Sequence, residues 1–340
     1  MLDQVHLLLD GDRRALARLL TAVENEREGV ETTLAALYPH TGRAWVIGIT
    51  GAPGTGKSSL VTALAKAYRT LGESVGILAV DPTSPFTGGA ILGDRIRMRD
   101  LSGDKNIFIR SMATRGSLGG LSRATRDAIR VLDAAGFQRI LVETVGAGQS
   151  EIDIVRAAHT TLVIEAPGLG DDVQAIKAGI LEIADVLVIN KADRPGVEHT
   201  ARALKSMLEL GHPASRVQSV NHHGQMIPTA TPAINKIPDF WLPPIIRTVA
   251  IENQGVDEVI NAIETHRTHL SQAGKIEELE DQHIQIELVE RLREHLLRDF
   301  FHDLPPETFA QAVAQIRART KAPQTAVQEL LALRGVNVAK

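Results

Sequence analysis

From Ala44 to about His269 the chain alternates short apolar runs with stretches of helical spacing. That alternation is the signature of βα units on a parallel sheet, whose strands are covered on both faces and so read as near-continuous apolar text. The strand candidates are AWVIGIT (44–50), VGILAV (75–80), IFIR (107–110), ILVET (140–144), TLVIEA (161–166), VLVIN (186–190) and IIRTVA (245–250). Upstream, Leu16, Leu19, Leu20 and Val23 give residues 1–38 the spacing of one or two amphipathic helices, closed by the break Tyr38-Pro39-His40-Thr41-Gly42. Residues 212–244, rich in Pro, His and Asn, read as an insertion or long loop. Beyond Ser271 the pattern is wholly helical, with Ile284, Ile286, Leu288, Val289, Leu292, Leu296 and Leu297 on one stripe. Such a stripe is expected to pack on the domain, on a second copy or on a partner. The pattern thus divides the chain into a helical extension (1–42), a central α/β domain (43–270) and a helical arm (271–340).

Composition narrows the class. A hydrophobic share of 44% and a charged share of 23% are those of a soluble globular protein. The net charge of −4 argues against a nucleic-acid partner, which calls for a basic surface. No apolar run approaches the roughly 18–20 residues that span a bilayer, and the acidic, amphipathic start resembles neither a secretory signal nor a transit peptide. With no cysteine there is neither a disulfide nor a thiolate site. The expectation is a cytoplasmic protein without membrane contact.

The chemistry begins at Gly51-Ala52-Pro53-Gly54-Thr55-Gly56-Lys57-Ser58, a full G-x-x-x-x-G-K-[ST] match between a strand and a helical stretch that starts at Ser59. In that setting the glycines let successive backbone N–H groups curl around phosphate oxygens, and the helix N-terminus adds positive potential. Lys57 is expected to reach the β- and γ-phosphates and Ser58 to ligate Mg²⁺. The fold class expected is therefore a P-loop NTPase domain.

Asn190-Lys191-Ala192-Asp193 closes the run VLVIN. Here the Asp193 carboxylate can accept from N1–H and the 2-amino group of guanine, donors that adenine lacks, so adenine would strand a buried carboxylate. Asn190 is expected on the opposite base edge and the Lys191 stem over the ring. The Ala250 N–H is placed to meet guanine O6.

Three polar stretches surround this frame. Residues 81–95, DPTSPFTGGAILGDR, have the makeup of a polar loop rather than a packed one; Asp81 and Asp94 are candidate Mg²⁺ acids, with turn capping as the alternative. Glu143 ends the run ILVE where a Walker-B-type carboxylate would bind a magnesium water, with Glu in place of the commoner Asp. Gln149 either orients the attacking water or simply begins a helix beside Ser150. Residues 167–172, PGLGDD, form a third polar loop, and Lys177 lies in the helix expected after it. The basic, Gly-rich residues 109–122 are open between an anion loop, a docking surface and a plain solvated loop. His222, His223, His266 and His269 lack the third partner of a metal site and are assigned to surface or packing.

In this order the phosphate loop, DPTSPFTGGAILGDRIRM, FIRSMATRGSLGGLSRAT, ILVETVGAGQSE, PGLGDDVQAIKAGILE and NKAD closely resemble the MeaB/ArgK family of G proteins, over roughly residues 10–270. The resemblance implies that Lys57 and Ser58 serve phosphate and metal and that Asp81 and Asp94 are switch-I metal-site acids. It makes Glu143 the switch-II carboxylate and the loop from Gly168 to Lys177 a third switch. Asn190, Lys191 and Asp193 read guanine. It implies a G domain with an N-terminal helical extension and a C-terminal dimerisation arm, although residues 271–340 hold none of the Trp the family often carries there. The implied function is a GTP-hydrolysing chaperone, most often a homodimer, of an adenosylcobalamin-dependent acyl-CoA mutase, the cobalamin being held by the partner enzyme. The alternatives are a kinase acting on an amino-acid (arginine/ornithine) transport system, a metal-delivery GTPase, and a scaffold with vestigial hydrolysis.

Overall fold

All strand pairings in the computed structural model are parallel, in a seven-stranded sheet of order β3-β2-β4-β1-β5-β6-β7. The structure describes residues 3–81, 98–101, 103–113, 123–144, 154, 157–168, 183–211, 241–272 and 274–333. Within these the strands are β1 (Trp45–Gly51), β2 (Val75–Asp81), β3 (Ile107–Ala113), β4 (Arg139–Thr144), β5 (Thr160–Glu165), β6 (Val186–Asn190) and β7 (Ile245–Thr248). Every residue of β1, β4 and β6 is buried, as expected of strands covered on both faces. The α/β class with a parallel sheet is the one the apolar runs imply. β3 runs three residues past IFIR, and β7 stops at Thr248 because Ala250–Glu252 coil into a short 3₁₀ turn.

The helices are α1 (Asp3–Leu9), α2 (Arg13–Glu24), α3 (Val30–Leu37), α4 (Lys57–Thr70), α5 (Arg123–Ala134), α6 (Val197–Gly211), α7 (Val256–Gln272), α8 (Lys275–His302), α9 (Pro306–Arg317) and α10 (Pro323–Ala332). The N-terminal segment holds three helices rather than one or two. Two breaks explain this: Asp12 caps α2 by accepting from the N–H groups of Arg14 and Ala15, and Gly29 takes a left-handed φ of +81° before α3. Leu16, Leu19, Leu20 and Val23 face inward as their spacing requires, into one core with Leu132 of α5, Val80 of β2 and Val142 of β4. Each fully buried Leu of this set contributes roughly 1.5–3 kcal/mol relative to exposure.

The chain divides into two compact units, residues 1–276 and 277–340. The first contains the sheet and the N-terminal helices. Asp133 at the end of α5 accepts from the backbone N–H groups of Gly42, Arg43 and Ala44, which fixes the chain's entry into β1. In the second, α9 and α10 pack together, while α8 has no buried residue. Ile284, Leu288, Val289, Leu292, Leu296 and Leu297 are each more than half exposed, so the stripe read in the sequence is open on this chain.

The order of the strands places a crevice. The chain leaving β1 crosses toward β2, while the chain leaving β4 continues to β5 on the other side, so the connections diverge between β1 and β4. In open parallel sheets ligands bind at such a divergence, outside the carboxyl ends of the strands. The phosphate loop and Glu143 both end there.

Candidate nucleotide site

The loop between β1 and α4 is built on glycines that no other residue could replace without displacing its neighbours. Gly51 sits at φ +140°, and a Cβ there would lie 2.1 Å from the carbonyl oxygen of Ile164 on β5. Gly56 caps α4 at φ +96°, where a Cβ would lie 2.3 Å from Asn190 Nδ2. Pro53 and Gly54 at the crest of the loop are exposed, Ala52 is half-buried, and Thr55 is buried with its hydroxyl on the carbonyl oxygen of Ala52 at 2.9 Å. Lys57, only 6% exposed, curls back over the loop and donates from Nζ to the carbonyl oxygens of Gly51 (2.8 Å) and Ala52 (3.0 Å). Ser58 and the half-buried Ser59 follow in the first turn of α4.

Glu143 is buried near the end of β4, and Ser58 Oγ donates to its Oε1 at 2.6 Å. A hydroxyl and a carboxylate held this close form an all-oxygen donor pair of the kind Mg²⁺ prefers. The backbone of Asp81 closes β2 on the same edge of the sheet; Asp94, Gln149 and Lys177 lie outside the described residues, as do His222 and His223.

The base-side loop is joined directly to the phosphate loop. Asn190, 2% exposed at the end of β6, donates from Nδ2 to the carbonyl oxygen of Thr55 at 2.9 Å. Its Oδ1 accepts from Thr248 Oγ1 and from the backbone N–H of Ala250, each at 3.1 Å. One side chain therefore ties three segments that are far apart in sequence. The side chain expected on the base edge and the N–H expected on guanine O6 are here bonded to each other. Lys191 takes a left-handed φ of +57°, unusual for a residue with a long side chain, and its Nζ donates to the carbonyl oxygen of Gly54 at 2.6 Å. The Lys191 stem is thereby laid across from one loop to the other, and Asp193 stands exposed beyond it. Thr248 was not singled out by the sequence; a hydroxyl closing the strand before the Ala250 turn is the only local sign of it.

The two described histidines from the sequence search, His266 and His269, pack against Trp241. His266 is buried with Nδ1 3.0 Å from Thr160 Oγ1 and Nε2 3.3 Å from Asp185 Oδ1. The Trp241 ring lies tilted against those of His266 and His269, with centroids 4.9 and 5.3 Å away, and it donates its indole N–H to the carbonyl oxygen of Asp185. Burial pushes His266 down to about 4, aided by the nearby His269, and burial pushes Asp185 up to about 7. Among the described residues no group of three His, Asp or Glu is placed to hold a metal ion, and no helix is long and apolar enough to cross a membrane.

Residues 16–304 match the family model of the methylmalonyl-CoA mutase-associated GTPase MeaB. A putative GTPase of Pyrococcus abyssi is 48% identical over 85% of this chain and 83% of its own length. The GTPase ArgK of Escherichia coli is 32% identical over 96% of this chain and 95% of its own. The mitochondrial methylmalonic aciduria type A homologue of Mus musculus is 30% identical over 86% and 69%. A crystal structure titled LAO/AO transport system kinase superposes with a TM-score of 0.69 at 24% identity, covering 98% of this chain and 97% of that one, and shows the shared fold.

Proposed function

Because the chain belongs to the MeaB family of methylmalonyl-CoA mutase-associated GTPases, we propose that it hydrolyses GTP to GDP and phosphate while chaperoning an adenosylcobalamin-dependent acyl-CoA mutase. The observation that most supports a GTP site is the joining of its two halves. Asn190 and Lys191 are hydrogen-bonded to Thr55 and Gly54, so the phosphate loop and the base-side loop form one continuous surface.

In this reading the N–H groups from Gly51 to Ser59 and the Lys57 ammonium bind the β- and γ-phosphates, which requires Lys57 to turn from the carbonyl oxygens of Gly51 and Ala52. Asp193 accepts from guanine, Lys191 covers the ring, and Asn190 holds the base loop in place. The Ala250 N–H reaches guanine only by sharing with, or leaving, Asn190. Ser58 and Glu143, with Asp81 and Asp94, are the oxygen donors for Mg²⁺, which when bound offsets charge on the β- and γ-phosphates. Gln149 orients the attacking water, and Lys177 belongs to a third switch segment. Phosphoryl transfer needs positioning and charge stabilisation more than covalent chemistry, so a partner that completes the switch geometry should accelerate turnover.

The name of the mouse relative and that of the family support the mutase as partner. We further propose that the open stripe on α8 pairs with a second copy, giving a homodimer with a site in each chain. Phosphate release is to be measured with and without a purified adenosylcobalamin mutase, together with co-elution of the two proteins. Stimulated turnover and a stable complex support the reading; neither, with any of the methylmalonyl-, isobutyryl- or hydroxyisobutyryl-CoA enzymes, removes the chaperone role.

The name of the LAO/AO transport system kinase structure suggests a second reading, a kinase for an amino-acid (arginine/ornithine) transport system. Incubation with γ-labelled GTP or ATP and a candidate transport protein separates the two: stable label on protein supports the kinase, and release of all label as inorganic phosphate supports the GTPase.

A further inference from the structure

Just beyond the paired part of β1 and β4 lies a contact that none of these roles uses. Thr144 Oγ1 donates to Thr50 Oγ1 at 3.1 Å, and both side chains are fully buried. Thr50 is the residue before Gly51, where the phosphate loop begins, and Thr144 is the residue after Glu143.

The backbone registers show why the place matters. Among the described residues the last paired residues of β1 and β4 are Ile49 and Glu143, so the hydroxyl pair stands one step further on, at the carboxyl ends of the two strands. On their outer sides both strands stay paired beyond that point, β1 with β5 through Gly51 and Ile164, and β4 with β2 through Val80 and Thr144. Successive strand residues point to opposite faces, so Glu143 and Thr144 point to different sides, one to Ser58 and the other to Thr50.

We propose that the Thr50–Thr144 hydroxyl pair is the positioning element that sets the width of the β1/β4 crevice, and with it the placement of Glu143 opposite Ser58 for phosphoryl transfer. The inference rests on the GTPase reading and adds two positioning residues to it. If Ser58 and Glu143 both turn to a metal ion, their direct 2.6 Å bond is given up, and the threonine pair is the described side-chain bridge that persists. A buried hydroxyl pair suits this task because its bond is directional, whereas two methyl groups in contact would tolerate a range of spacings.

The test is Thr144→Val, which keeps the shape and removes the hydroxyl, beside Thr144→Ser, Thr50→Val and the double valine variant. Positioning predicts that Thr144→Val lowers kcat by about three- to tenfold, the worth of one buried hydrogen bond, and raises the Mg²⁺ concentration for half-maximal turnover. GDP affinity without Mg²⁺ should stay within about twofold, since the loops that contact nucleotide are untouched. Thr144→Ser should restore kcat, and the double variant should be no worse than either single one, as partners in one bond are not additive. A pair that only stabilises the fold predicts a lower melting midpoint with kcat kept. That result overturns the proposal, as does a serine variant that is folded yet as slow as valine. A wild-type chain that binds Mg²⁺–GDP but releases no phosphate refutes the GTPase reading instead. The pair is then judged on Mg²⁺ affinity of the GDP complex, which Thr144→Val must weaken for the inference to stand.

Discussion

Replacing Asn190 by Ala removes the side chain that ties the phosphate loop, the base-side loop and the turn after β7. The bonds lost are Nδ2 to the Thr55 carbonyl oxygen at 2.9 Å, and Oδ1 from Thr248 Oγ1 and the Ala250 N–H at 3.1 Å each. Asn190 and Thr248 are nearly inaccessible to solvent, so their former partners do not simply return to bulk water. A buried polar group left unsatisfied costs about 1–3 kcal/mol, and water entering the vacated space recovers part of that. For the set, a loss of about 2–4 kcal/mol is expected, equivalent to a fall in melting midpoint of roughly 4–16 °C for a unit of this size. Nucleotide binding should suffer as well, because binding must then order loops that the wild type holds together; a tenfold or greater rise in the Kd for a fluorescent GDP analogue is expected, about 1.4 kcal/mol or more. Asn190→Asp isolates the donor arm. It keeps an acceptor for Thr248 and Ala250 but sets a carboxylate oxygen against the Thr55 carbonyl, and should be at least as damaging as Ala. Circular dichroism melts and fluorescence titration provide the two readouts. An Asn190→Ala protein that melts within about 1 °C of wild type and binds GDP equally well would refute the staple argument.

Asp193→Asn should weaken GTP and favour xanthine nucleotide in competition binding, since the amide offers a donor where guanine offers one too; unchanged preference removes Asp193 from base reading. Gly56→Ala should cost about 1–2 kcal/mol for a left-handed backbone alone and should displace Asn190, so its nucleotide affinity should fall with its melting midpoint. His266 and Asp185 make a pH prediction. His266 has its folded pKa depressed to about 4, so by itself it would lose stability as pH falls from about 6.5; Asp185, raised to about 7, would by itself lose stability as pH rises from about 4. Between those limits the pair holds one proton whether folded or unfolded, and its contribution to the wild type is flat. His266→Gln should expose the Asp185 slope, with stability falling as pH rises from about 4 to 7 in urea titrations, and a variant as flat as wild type would count against it.

How much of this could be read in the chain depended on how local each signal was. The strands were legible because a strand buried on both faces reads as a near-continuous apolar run, as β1 up to Ile49 and β6 up to Ile189 illustrate, and the phosphate loop was legible because its glycines and Lys57 answer to their own backbone. Elements set by single caps were less so: Asp12 and Gly29 split one amphipathic stretch into three helices. The role of Asn190 was half legible. Its motif placed it correctly, but its bonds to Thr55 and Thr248 span 135 and 58 residues, which periodicity does not register. His266 reads as one polar residue on a helix, and only its packing against Thr160, Asp185 and Trp241 explains why it is buried. The hydroxyls of Thr50 and Thr144 look like ordinary β-formers until the register places them opposite each other.

That this site cleaves GTP is tested by phosphate release under multiple turnover with Mg²⁺, comparing wild type with Lys57→Ala. Slow release by the wild type and a loss of at least about a hundredfold in the variant are expected, the scale on which removing one charge-stabilising donor acts. Equal rates from the two proteins, or no release by the wild type with or without a mutase, would contradict it.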